Sequence, residues 1–130
     1  MSARLDLFGI IVKDMAASLA FYRRLGMDLP PEADQEPHVE TSLPGGLRLA
    51  WDTEETIQSF NPDWQSSPTG PRIALSFLVE TPAEVDSTYD ELVALGYDGV
   101  KAPWDAVWRQ RYAIVHDPDG NIIDLFCPLA

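Results

Sequence analysis

The stretch IIVKDMAASLAFYRRLG, residues 10–26, decides how the chain is read. Its branched start extends upstream as LDLFGIIV, residues 5–12, a composition suited to a buried strand. Asp14 then offers a side-chain oxygen for a helix N-cap. Met15, Leu19, Tyr22 and Leu25 follow at helical spacing, and Gly26 supplies a left-handed stop. The stretch predicts a strand passing directly into an amphipathic helix.

The same order returns further along. RIALSFLV, residues 72–79, reads as a strand, and EVDSTYDELVALG, residues 84–96, as a helix with Val85, Tyr89, Leu92 and Leu95 on one face. RYAIVH and NIIDLF close the chain as two strands joined by Asp117-Pro118-Asp119-Gly120, where proline fixes one φ and glycine frees another. In the first half, HVETSL and GGLRLAW read as strands around Pro44-Gly45-Gly46. Each half thus runs strand, helix, strands, which predicts an α+β fold of two paired βαβββ modules, about 4–52 and about 72–128, within one domain of residues 1–130. The connection 53–71 carries Trp64 and is broken by Pro62, Pro68 and Pro71; its first part, TEETIQSF, suits a short helix.

A chain of 130 residues can build one hydrophobic core. No apolar run is long enough to cross a bilayer, so no membrane partner is expected. LFGIIV is too short for a secretory core and runs into Lys13 and Asp14, which predicts a cytoplasmic protein. Cys127 is the only cysteine, which excludes an internal disulfide framework and a cysteine zinc cluster, and is read as a packed strand residue. The net charge of −12 repels phosphate backbones and argues against nucleic acid. From Asp28 to Asp63 nine carboxylates face one cation, Arg48, a field that favours cationic or neutral ligands; simple solubility is the plainer use of such charge.

IIVKDMAASLAFYRRLG in the first half, with VDSTYDELVALGY and DPDGNIIDLF in the second, resembles the vicinal oxygen chelate superfamily of glyoxalase I, bleomycin-resistance proteins and extradiol dioxygenases. The resemblance spans nearly the whole chain. It implies that the two modules curl into a half-open mixed β-barrel around a ligand pocket, and that the protein is a homodimer. In metal-using members, a histidine on the first strand, a residue from a later strand of each module and a glutamate on the last strand hold the ion. The first-strand position falls here on Leu7 and its counterpart in the second module on Ala74, neither of which carries a ligand atom, and the acid position falls on Asp124. The resemblance is therefore closest to the metal-free, antibiotic-binding members, and no cofactor is expected.

Asp124 stands between Ile122, Ile123, Leu125 and Phe126, so its charge needs a partner, and Arg111 is one candidate. The plainer reading leaves Arg109 and Arg111 as solvated strand-edge charges. Trp51 at a strand end, Trp64 in the connection, and Trp104 and Trp108 in PWDAVW offer rigid apolar faces for a flat ligand, with Tyr112 beside them; core packing is the plainer role of any tryptophan. Leu7 and Ala74 complete the expected ligand-binding set. The resulting expectation is metal-independent binding of a hydrophobic or aromatic small molecule, neutral or cationic, with antibiotic sequestration or self-protection as its use. The alternative is an isomerase using Asp124 as base, or a lyase or dioxygenase recruiting a divalent metal through Asp124, Glu40 and His38. His38 and His116 otherwise read as solvated or turn-capping residues.

Overall fold

A computed structural model describes residues 4–66 and 73–130. Ser67, Pro68 and Pro71 of the connection, and Arg72, expected to open the second module, lie outside the described residues. The chain divides into two compact units, the first ending at Ser66 and the second starting at residue 67.

The first unit holds β1 (Leu7–Val12), α1 (Met15–Arg24), β2 (His38–Ser42), β3 (Arg48–Thr53) and α2 (Glu54–Phe60). Asp14 caps α1 as expected, accepting from the Ala17 amide at 3.1 Å. The strands form a mixed sheet in the order β1-β3-β2, with β1 parallel and β2 antiparallel to β3. This is one strand fewer than a βαβββ module. Between α1 and β2, Pro31–Gln35 forms a 3-10 turn and no strand. Pro30, Pro31 and Pro37 remove three of the amide donors that a strand ladder would need. Arg23 fastens this turn to the end of α1, donating to the carbonyls of Leu29 (2.7 Å) and Pro30 (2.8 Å) and pairing with Asp34 (2.9 Å).

Strand alternation sorts this sheet into two faces. Ile10, Val12, Leu49 and Trp51 are buried on the α1 side, where Trp51 meets the Tyr22 ring edge-on at 5.5 Å. Leu7, Gly9 and Ile11, with Arg48, Ala50 and Asp52 and with His38, Glu40 and Ser42, share the other face.

The second unit is a complete βαβββ module: β4 (Ala74–Leu78), α3 (Pro82–Ala94), β5 (Gly99–Ala106), β6 (Gln110–His116) and β7 (Ile122–Pro128). Its sheet runs β4-β7-β6-β5, with β4 parallel to β7 and the remaining pairs antiparallel. α3 starts two residues earlier than the sequence pattern suggested. Thr81 caps it by accepting from the Glu84 amide, and Pro82 occupies the first turn, where a missing N–H costs little. Val85 and Leu92 of α3 are buried, as are Ala113, Val115, Ile123, Leu125 and Cys127 of the sheet, whereas Leu95 at the helix end is exposed. Two mixed sheets with helices make an α+β fold of paired strand-helix-strand modules, as expected.

Among the described residues no helix is long and apolar enough to cross a membrane.

Candidate functional site

The face of the second sheet opposite to Ile123 and Leu125 is set by the hairpin β6–β7. Its register pairs Tyr112 with Phe126 and Ile114 with Asp124, and Ser76 of β4 pairs with Asp124 from the other side. These residues therefore share one face with Ala74, Leu78 and Ile122. Asp124 is only 8% exposed. Its Oδ2 accepts two hydroxyl hydrogen bonds, from Ser76 (3.0 Å) and Tyr112 (2.8 Å). The two donors answer the question that a buried carboxylate poses, because a desolvated charge is tolerable when hydrogen-bonded. The Tyr112 hydroxyl is pushed above its ordinary pKa, first by burial and then by its bond to the Asp124 carboxylate. Tyr112 thus stays protonated and serves as a donor.

An aromatic cluster adjoins this triad. Trp104, Trp108 and Tyr112 meet edge-to-face, with centroids 5.9 Å (Trp104–Trp108), 5.4 Å (Trp104–Tyr112) and 5.2 Å (Trp108–Tyr112) apart. Phe126 lies 6.3 Å from Tyr112 in a tilted arrangement. Trp104 belongs to β5, a strand to which the sequence reading assigned no segment, while Trp108 sits in the β5–β6 turn and is 53% exposed. Arg109 in this turn adopts φ 67°, and the indole N–H of Trp108 donates to Gln110 Oε1 at 3.0 Å.

The pairing of Arg111 with Asp124 is not what forms. Arg111 lies on the opposite face, where its Nε and Nη2 donate to both oxygens of Asp86 on α3 at 2.8 Å each, and Nη1 reaches Asp105 at 3.1 Å. The reason is parity: neighbours in a strand point to opposite faces, and Tyr112 holds the Asp124 side. The fork geometry holds the Asp86 carboxyl below its usual range and raises Arg111, chiefly through that same bond. Arg111 is a clamp between α3 and the sheet, and neither a solvated charge nor the Asp124 partner.

In the first unit the sheet face turned away from α1 carries an ionic network. His38 places Nδ1 on Asp52 (2.5 Å) and Nε2 on Glu40 (2.9 Å), and Arg48 bridges Glu40 (2.7 Å) to Asp6 (2.5 Å). Carboxylates on both ring nitrogens favour the imidazolium, so the pKa of His38 rises above 6.5, with the Glu40 bond the largest cause and the Asp52 bond next. A raised folded value means that the network's support is fully present below pH 6.5 and fades as the pH climbs through the folded pKa. We expect the melting temperature of His38→Gln to fall furthest below wild type in acid, and the gap to close in mild alkali. A gap that widens with pH would remove this account.

Of the other expected site residues, Trp51 is wholly buried in the first unit's core beneath α1, with its indole N–H unpaired among the described residues. Trp64 follows α2 in the first unit, half-buried, its amide donating to the Asn61 carbonyl. Leu7 lies on the face of the ionic network and Ala74 on that of Asp124. The structure thus gathers Asp124, Tyr112, Trp104, Trp108 and Ala74 in one unit. Ser76 was missed, although its alignment two residues after Ala74 on the same strand face was a usable signal.

The donors do not fit an ion. At the position implied by the resemblance stands one carboxylate whose Oδ2 already accepts two bonds, flanked on its face by Ala74, Leu78, Ile122 and Phe126. His38 and Glu40 cannot rescue this, since the two carboxylates on His38 occupy opposite ring nitrogens. Among the described residues no group of three His, Cys, Asp or Glu side chains is arranged to hold a metal.

Known structures support the fold. The chain is similar to a glyoxalase/bleomycin resistance protein/dioxygenase family enzyme from Burkholderia phytofirmans PsJN, with TM-score 0.80 and 22% identity over 98% of this chain and 100% of that one. It is also similar to a glyoxalase/bleomycin resistance protein/dioxygenase from Nocardioides, with TM-score 0.71 and 23% identity over 99% and 85%. A glyoxalase/dioxygenase from Nostoc punctiforme gives TM-score 0.69 and 19% identity over 98% and 92%. At such identities the likeness speaks for the fold alone. No curated protein sequence matches the chain. The family model of the glyoxalase/bleomycin resistance protein/dioxygenase superfamily matches residues 4–125, nearly the whole length. The chain belongs to that superfamily.

Proposed function

We propose that this protein binds a flat, hydrophobic or aromatic small molecule without a metal, on the Asp124 face of the second sheet, and acts by sequestering it. The observation that carries the reading is the Ser76–Asp124–Tyr112 triad set beside three edge-to-face rings. Rigid aromatic walls bury ligand surface at little entropic cost, and one fixed carboxylate orients it. The resemblance to bleomycin-resistance proteins supports an antibiotic as ligand, and a cytoplasmic homodimer as the working form.

Tryptophan quenching with polyaromatic and glycopeptide antibiotics tests this. We expect saturable quenching, unaltered by chelator or added divalent ions, and recovery of the ligand chemically unchanged. Trp108→Ala should weaken binding about tenfold, the loss of one well-placed aromatic contact. A chelator-sensitive signal would return the chain to the metal-using branch, and a converted ligand would make it an enzyme.

A further inference from the structure

Lys101 is one of only two lysines in the chain, and its ammonium sits 4.1 Å from the centroid of the Trp104 ring. The bulged pairing of β5 with β6 sets Lys101 opposite Ile114 and Trp104 opposite Tyr112, so both belong to the Asp124 face. The Trp104 ring is itself fixed, since Trp108 and Tyr112 pack against it at 90° and 67°. In a chain with 21 carboxylates an ammonium would be expected to find one. Among the described residues Lys101 forms no ion pair and rests instead on an indole face. The attraction comes from the negative face of the ring quadrupole, which draws any cation and prefers weakly hydrated ones.

We propose that the Trp104 face is the cation seat of the ligand site and that Lys101 is its internal occupant, displaced when a cationic aromatic ligand binds. The inference rests on the binding reading above and narrows it to ligands bearing a fixed positive charge, such as quaternary aromatic ammonium compounds. Lys101 then acts as a specificity residue. A strongly hydrated or poorly placed cation does not displace it, whereas a quaternary one on a flat ring stacks on Trp104 and gains from the nearby Asp124. A primary ammonium on an exposed stem leaves easily, because such contacts shift an equilibrium only about two- to fivefold.

The test titrates N-methylacridinium and neutral acridine, in mildly alkaline buffer, against wild type, Lys101→Met and Lys101→Gln. We expect both variants to bind the acridinium about two- to fivefold more tightly than wild type and acridine unchanged. An independent readout comes from carbon-13 methylation of the two lysines, which keeps their charge. The Lys101 methyl signal should lie upfield under the Trp104 ring current and move downfield as acridinium is added. Equal acridinium affinity in wild type and both variants, or a Lys101 signal that does not move, would overturn the inference while leaving ligand binding intact. If neither probe quenches any of the proteins, the binding reading fails and takes the inference with it.

Discussion

Asp124→Ala is expected to weaken ligand binding about 30-fold or more, the usual scale for removing one side of a buried, hydrogen-bonded charge contact. The carboxylate is 8% exposed, and no other acidic side chain of β4, β6 or β7 shares its face. Its loss also strips an acceptor from the Ser76 and Tyr112 hydroxyls. Ser76 is exposed, so water can serve it; the half-buried Tyr112 hydroxyl bears the larger share of a folding cost of about 1 kcal/mol. Circular dichroism melts separate that cost from the binding loss. Asp124→Asn keeps an acceptor for both hydroxyls and removes only the charge. Its affinity therefore reports on the ligand: near wild type for a neutral molecule, close to the alanine variant for a cation. Unchanged affinity in Asp124→Ala would move the site elsewhere.

Trp51→Ala is expected to cost about 3–5 kcal/mol of stability, the range for deleting a fully buried large aromatic. Trp51 has no exposed surface and fills the space between β3 and Tyr22 of α1. Domains of this size hold roughly 5–15 kcal/mol in all, so the variant should lose much of its urea resistance. Trp51→Phe tests the cause. It keeps an aromatic ring against Tyr22 and deletes a buried N–H that has no acceptor among the described residues, so its loss should be clearly smaller. Equal damage from both changes would show that the indole N–H, and not buried volume, carries the stability.

Much of the fold was legible because it rests on local rules. Asp14 and Gly26 bracket α1, and the Asp117–Gly120 turn joins β6 to β7, each a matter of near-neighbour chemistry. Strand β5 was not, since Gly99 and Pro103 interrupt a strand pattern; proline is tolerated there because β5 lies at the edge of its sheet. The missing strand of the first unit follows from Pro30, Pro31 and Pro37, whose lost amide donors override the pattern set by the repeat.

At the site, Asp124 was found from its isolation among apolar neighbours, but its partners required long-range pairing. Even so, the hairpin held a usable clue. His116 pairs with Ile122 across a symmetric turn, so Asp124 shares its face with even-numbered residues of β6, which admits Tyr112 and rules out Arg111. Asp86, the true partner of Arg111, lies 25 residues away on a helix, and only tertiary packing joins them.

The shortened first sheet leaves β2 as an outer strand with one row of backbone groups unmatched within it. Bare strands of this kind invite stray chains to add on and seed fibrils. Here the segment is only five residues long, and its exposed His38 and Glu40 set charged side chains beside that edge. The proline-rich detour that removed a neighbour from this sheet thus left behind a short, charged border poorly suited to fibril seeding.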